Sequence, residues 1–121
     1  LAAAVAAALQ SDLGAARVLE GLNASANSFY DAQGRRDPSF RDGNEGLLDE
    51  LRAKHPGVAS MEMESFTLLH LAAACDSIKA ATCAIVAANR ATGDVIDTAV
   101  FKATELAAGR AVLRAITSVA P

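Results

Sequence analysis

The run Phe66 to Cys75 is apolar almost all round, with only Thr67 and His70 interrupting it. A helix with no polar face needs cover on every side, so this run predicts a buried helix around which the rest of the fold is arranged. Immediately before it stands Met61-Glu62-Met63-Glu64-Ser65, two carboxylates and two thioethers. A helix over Glu62 to Cys75 would therefore carry two acids in its first turn and bury the remainder. An unpartnered carboxylate in such a place is costly or shifts its pKa. It accepts hydrogen bonds from protein or from a hydroxyl-rich ligand, favoured by the partial positive charge of the helix N-terminus. If the helix starts near Ser60, Glu62 and Glu64 lie about 200° apart at roughly 100° per residue. They cannot serve the same partner, so one faces a pocket and the other faces structure. Taken alone, the pentapeptide also fits a plainer reading, two first-turn acids placed for the helix dipole.

At 121 residues the chain is one domain or part of one. A hydrophobic fraction of 52% beside 21% charged residues suits a soluble, well-buried α/β protein and argues against disorder. The net charge of -3 and a pI near 5.2 leave no electrostatic footprint for nucleic acid or an anionic membrane. One Tyr, four Phe and no Trp offer little for base stacking along a strand of nucleic acid. Cys75 and Cys83 lack metal-ligand spacing and lie in apolar runs, which predicts buried reduced thiols and a cytoplasmic setting. The opening Leu1 to Leu9 run is too short for a membrane span and has no basic flank. Leu1, Val5 and Leu9 instead fall at helical spacing, and a chain that begins inside a helix reads as cut from something longer.

Along the chain, Leu1 to about Asp12 predicts a helix ended by Gly14, and Arg17 to Ala24 a strand. Ser25 to Asn44 is rich in Gly, Asp, Asn, Ser and Arg and reads as a loop, long enough to imply work on a ligand. Glu45 to His55 predicts a short helix with Leu47, Leu48 and Leu51 inward, stopped by Pro56-Gly57. Val58 to Ser60 predicts a brief strand leading into the central helix. Lys79 to Ala88 is a near-continuous apolar run, the pattern of a strand covered on both faces. After a polar loop over Asn89 to Asp97, Thr98 to Val119 predicts the last helix, with Phe101, Ala108, Val112, Ala115 and Val119 on one side. The order α-β-α-β-α-β-α is an α/β layer architecture. The two polar loops and the start of the central helix would meet beyond the carboxyl ends of the strands, the usual ligand crevice of such sheets.

Within Ser28-Phe29-Tyr30-Asp31-Ala32-Gln33-Gly34-Arg35-Arg36-Asp37, an aromatic pair precedes Gln33 and Arg35. A Gln amide offers an acceptor and two donors in one plane, matching a group with N–H beside C=O. The N3–H and O2 edge of uracil is such a group. An Arg fork could cover a second carbonyl such as O4, and Phe29 could pack against base or sugar. The same composition also suits a solvated loop.

Phe-Tyr-x-x-Gln-Gly-Arg-x-Asp, then Met-Glu-Met-Glu-Ser, then Asn-Arg and Gly-Asp after an apolar run resemble the C-terminal half of the uridine-cleaving members of the nucleoside phosphorylase family. The motifs come in the family's order and with about its spacing, from Ser25 onward, and Gln-Gly-Arg leans toward the animal-type enzymes. Pro38 and Ala87-Ala88 depart from the family's pattern. The resemblance implies half of a three-layer α/β/α domain with a central mixed sheet, residues 1–121 forming a partial domain that carries the base- and ribose-binding half. It implies that Gln33 and Arg35 bind uracil and act catalytically, that Phe29 lines the base and ribose pocket, and that Arg90 supports the O4 side. Met63 would pack on the ribose and Glu64 would accept from its hydroxyls, leaving Glu62 to structure. Asn89-Arg90 stands where purine-specific relatives carry Ser-Asp, which favours a pyrimidine.

The reaction so implied is reversible phosphorolysis of uridine to uracil and ribose 1-phosphate, with phosphate as co-substrate and no metal or organic cofactor. The family's phosphate site lies in its N-terminal half, and nothing before Ser25 resembles it. The expected partners are therefore uridine or uracil, ribose 1-phosphate and phosphate, with a homodimer or higher homo-oligomer formed through the missing half, and neither nucleic acid nor membrane. Residues 1–121 alone are expected to be inactive. A nucleoside-binding module, a truncated non-catalytic paralogue and a structural α/β interaction unit are the other classes left open.

Overall fold

The computed structural model describes residues 1–39 and 41–119. Among these residues four α-helices and two strands follow in the order α1 (Ala2–Leu13), β1 (Leu22–Ser25), α2 (Leu47–Lys54), β2 (Val58–Glu62), α3 (Ser65–Ala73) and α4 (Thr98–Ser118). Single 3-10 turns at Ala15–Arg17 and Asp31–Gln33 complete the regular structure.

The buried core lies between the first and last helices. The stripe Leu1, Val5, Leu9 of α1 forms as its i, i+4 spacing requires, with Val5 and Leu9 buried. Against it stand Ala111 and Ala115 of α4, with Ala108 and Val112 partly buried beside them. Ala111 is fully buried at 0% exposure, so small side chains set how closely the helices approach. The pair is fastened at its rim by Arg114 Nη2 to Asp12 Oδ1 at 2.6 Å and by Arg17 Nη2 to Thr104 Oγ1 at 3.2 Å. Asp97 starts α4 by accepting from the N–H groups of Ala99 and Val100, an acidic N-cap that satisfies two otherwise orphaned donors.

The strands β1 and β2 pair in parallel, Ser25 opposite Glu62 and Ala24 opposite Met61. A parallel pair needs a crossover connection, and the segment between them supplies it, carrying α2. Both strands therefore end at the same edge. The long polar loop leaves β1 there, and the Met63-Glu64 turn leaves β2 there on its way into α3.

Glu62 ties that edge together. Its Oε2 accepts from the N–H of Glu64 and of Ser65, each at 2.6 Å, and its Oε1 accepts from Asn23 Nδ2 at 2.6 Å and from the Ser65 hydroxyl. The side-chain Oδ1 of Asn23 accepts from the Ser60 hydroxyl at 2.8 Å, and Ser25 Oγ accepts from Phe66 N–H at 3.2 Å. Burial, the largest single influence, pushes the Glu62 carboxyl upward. The Ser65 hydroxyl, the two backbone N–H groups and Asn23 together outweigh it and bring the pKa down to about 2.

Several expectations are corrected. The α/β class stands, and the sheet seen among the described residues has two strands, paired in parallel. The first strand is confined to Leu22–Ser25 because Ala15–Arg17 turns back as a 3-10 helix. The second strand runs on to Glu62 and α3 begins at Ser65 after Glu64 as N-cap, so Glu62 lies outside the helix, its carboxylate accepting from the N–H groups of Glu64 and Ser65. The Lys79–Ala88 run carries no ladder, only a single antiparallel bridge between Ala88 and Val95. Its apolar pattern demands cover on two faces but supplies no neighbouring strand. The body of α3 is likewise uncovered among the described residues, with Phe66 66% and Leu71 62% exposed and Leu68 and Leu69 also open. The cysteines are not buried either: Cys75 is half-buried and Cys83 exposed.

Two outcomes test this architecture. Ala111→Leu forces a branched side chain into the closest approach of α1 and α4 and is expected to cost about 1–3 kcal/mol, read as a lowered melting midpoint; an unchanged midpoint would mean that the helices are not held at this spacing. Glu62 stabilises the fold above its unfolded value of 4.5, and that contribution is lost as pH falls toward about 2. Glu62→Gln is therefore expected to melt below the parent at pH 7, by about 1 kcal/mol after allowance for the solvent that reaches it. The gap should narrow as pH falls through that window, in thermal melts taken across it.

Candidate functional site

Four of the residues singled out from sequence lie at or against one cavity of about 740 Å³, bounded by the loop after β1, by α2 and by the turn that follows the Lys79–Ala88 run. That volume lies within the usual range for small-molecule sites, roughly 300–1,000 Å³. Phe29, Arg35 and Arg90 line it, together with Arg36, Leu48, Arg52 and Asn44. Gln33, only 5% exposed, is joined to this wall by its hydrogen bonds.

Local chemistry explains how the loop presents these groups. Ser28 Oγ accepts from Ala32 N–H at 2.9 Å and starts the 3-10 turn Asp31–Gln33. The turn closes at Gly34, whose φ of +63° lies in the left-handed region. A side chain at Gly34 would also meet Leu48 of α2, since a Cβ there would lie 3.2 Å from Leu48 Cγ. Gly34 is thus required twice, for its dihedral and for the close packing of α2. Arg35 N–H then donates to Tyr30 C=O at 3.0 Å and reverses the chain.

The result is a tight group of planar side chains. Phe29 and Tyr30 meet edge to face at 5.1 Å, and the Arg35 guanidinium carbon stands 3.8 Å over the centre of the Phe29 ring, a cation–π arrangement. Gln33 Oε1 accepts from Arg35 Nε at 3.4 Å and from Arg90 Nη2 at 3.2 Å. A guanidinium only donates, which fixes which end of the Gln33 amide faces the two arginines. With its oxygen so engaged, the group that Gln33 has left to offer is its NH2, a donor. Burial lowers the pKa of Arg90, and the neighbouring Arg35 charge lowers it further.

Arg90 reaches the site from a turn built by its neighbours. Asn89 Oδ1 accepts from Ala91 N–H at 2.9 Å and Thr92 N–H at 3.3 Å, and Asn89 N–H donates to Asp94 C=O at 2.8 Å. Gly93 closes the turn at φ +79°.

Met63 and Glu64 are not among the residues that line the cavity. Met63 is half-buried in the connection from β2 to α3. Glu64 is exposed, its Oε2 accepting from Met63 N–H at 3.1 Å. Glu62, by contrast, is turned into the network between β1 and α3. Sequence reasoning overlooked Asn44, Arg36 and Arg52. An Asn within Asp-Gly-Asn-Glu-Gly is ordinary turn composition, and nothing in its spacing signals that it is buried against the carbonyls of Tyr30 and Arg35. Among the described residues no group of three or more His, Cys, Asp or Glu side chains is placed to hold a metal ion, and no helix is long and apolar enough to cross a membrane.

No family model and no curated protein matches the sequence. Among solved structures, a uridine phosphorylase from the oomycete Phytophthora capsici matches with 37% sequence identity and a TM-score of 0.90. The match takes in 98% of this chain and 46% of that one, so the chain spans a little under half the length of its structural relative. This agrees with the family to which the Gln-Gly-Arg, Met-Glu-Met-Glu-Ser and Asn-Arg motifs point. The chain belongs to the nucleoside phosphorylase family and corresponds to a segment of a uridine phosphorylase.

Proposed function

We propose that the protein carrying this chain catalyses the reversible phosphorolysis of uridine to uracil and ribose 1-phosphate, and that residues 1–121 supply the base- and ribose-binding half of its site. The observation that carries the reading is the convergence of Arg35 and Arg90 on one cavity beside the Phe29 ring, both of them held by the Gln33 amide oxygen. The likeness to a uridine phosphorylase supports it.

In this reaction a phosphate oxygen attacks C1′ of the ribose while the bond from C1′ to N1 of uracil breaks. The electron pair passes to the base, and positive charge develops on the sugar. The departing uracil spreads its negative charge over N1, O2 and O4. Donors aimed at those oxygens gain strength as the charge forms, which lowers the barrier rather than merely tightening binding. Arg35 and Arg90 are donors that line this cavity, and in this reading the NH2 of Gln33, whose amide oxygen is bonded to both, acts with them. Pairing of N3–H with Gln33 Oε1 would require one of the two arginines to release that oxygen, so in this reading the NH2 is the group that meets O2. In this reading Phe29 packs on the base or ribose.

In the same reading Met63 and Glu64 complete the half-site from the turn between β2 and α3, Met63 against the ribose and Glu64 accepting from its hydroxyls. Holding the sugar so that phosphate attacks in line is worth roughly 7–11 kcal/mol in well-oriented reactions. Phosphate is a co-substrate whose ligands come from outside this segment, and the chemistry needs no metal or organic cofactor. The same reading places the enzyme in the cytoplasm as a homodimer or higher homo-oligomer working in pyrimidine nucleoside salvage and catabolism.

In the complete protein, Gln33→Ala and Arg35→Ala are each expected to lower kcat/KM for uridine at least about tenfold, the factor that a lost 1.4 kcal/mol gives. Unchanged kinetics in both would remove the loop from the site. Uridine that protects the protein in a thermal melt, with no uracil released when phosphate is added, would favour a nucleoside-binding module instead. A second comparison separates the two acids. Glu64→Gln should impair ribosyl turnover, whereas Glu62→Gln should chiefly lower stability; the reverse pattern would exchange their roles.

A further inference from the structure

Asn44 is 7% exposed and lies against the cavity, yet it belongs to none of the motifs that identify the site. Its Nδ2 donates to the carbonyl of Arg35 at 2.6 Å and to that of Tyr30 at 3.1 Å, with a longer third contact to the carbonyl of Asp31 at 3.4 Å. An amide NH2 has two hydrogens, so the first two bonds are the principal ones. Those two carbonyls bracket the 3-10 turn Asp31–Gln33 and Gly34. One side chain therefore closes the turn from both ends.

We propose that Asn44 is the positioning residue that sets the geometry of the Gln33–Arg35 turn and, through it, recognition of the base. The first half stands on the hydrogen bonds alone, and the second rests on the functional reading above. Asn44 is itself anchored, because its backbone carbonyl accepts from Leu47 N–H at 3.1 Å at the start of α2. One residue further on, Leu48 stands against Gly34. The turn is thus held by an amide on one side and by a packed leucine on the other. Precision matters here because both bonds to Gln33 Oε1, at 3.4 and 3.2 Å, are already at the long end of useful hydrogen bonds. A displacement of about half an ångström in the turn would release Arg35 or Arg90 from Gln33 and reorient the donors that meet the base. Asp at this position would set a carboxylate against three carbonyl oxygens, and Ala would leave those carbonyls without the donor.

The test uses Asn44→Ala and Asn44→Asp in the complete protein, well below each variant's melting midpoint. Backbone amide exchange is measured without ligand, and uracil affinity is measured by calorimetry. The expected result is exchange at the Gly34 and Arg35 amides accelerated at least about tenfold with α1 and α4 unaffected, and uracil affinity lowered at least about tenfold. Unchanged exchange at those two amides overturns the proposal, as does faster exchange with unchanged affinity. Acceleration spread equally through α1 and α4 also overturns it, since Asn44 would then serve global stability. If the parent protein fails to bind uracil, the functional reading falls, while the exchange data still decide whether Asn44 holds the turn.

Discussion

The carboxylate of Glu62 is the interaction on which the working edge of this chain depends. Four donors from three places meet its two oxygens: Asn23 of β1, the backbone at Glu64, and the backbone and hydroxyl of Ser65 at the start of α3. One charged group thereby joins the end of the parallel pair to the N-terminus of the next helix. A carboxylate is the chemical group for this task because it only accepts, and because its charge strengthens every bond it receives. With the edge so fixed, the loop leaving β1 and the turn leaving β2 start from defined positions.

The cavity is organised by a second shared acceptor. Gln33 Oε1 holds Arg35 and Arg90, residues from loops far apart in sequence, in one place. Two guanidiniums brought together repel, and the lowered pKa of Arg90 is partly a record of that repulsion. The Gln33 oxygen and the face of the Phe29 ring offset it with partial negative charge. What remains is a wall rich in hydrogen-bond donors. The carbonyl clamp of Asn44 and the packing of Leu48 on Gly34 hold that wall in register with α2.

Elements whose signals are local were legible in the sequence. The i, i+4 stripe of α1, the Gly14 stop, α2 ahead of Pro56-Gly57, and α4 after Asp97 all form close to where their patterns place them. The opposed roles of Glu62 and Glu64 were inferred from a helical register that does not exist at Glu62. The two acids do point to different partners, but because Glu62 ends a strand and Glu64 precedes a helix. The family was legible as well, since its motifs are short combinations whose order survives in the linear chain.

Cover and convergence were not legible. The apolar runs Phe66–Cys75 and Lys79–Ala88 state that a surface seeks burial, but hydrophobicity has no direction and cannot name what lies against it. Within the described residues the large apolar side chains of α3 are left open, and no strand ladder forms over Lys79–Ala88. Asn44 likewise carries the composition of a turn and the burial of a core residue, and only the fold distinguishes the two. The sequence by itself determined helix periodicity, capping and the side-chain chemistry of the site, because each depends on neighbours a few positions away. Only the tertiary structure decided that Gln33 and Arg90 share a hydrogen bond and that Asn44 closes the turn, because those contacts follow from the three-dimensional path of the backbone and leave no periodic trace in the chain.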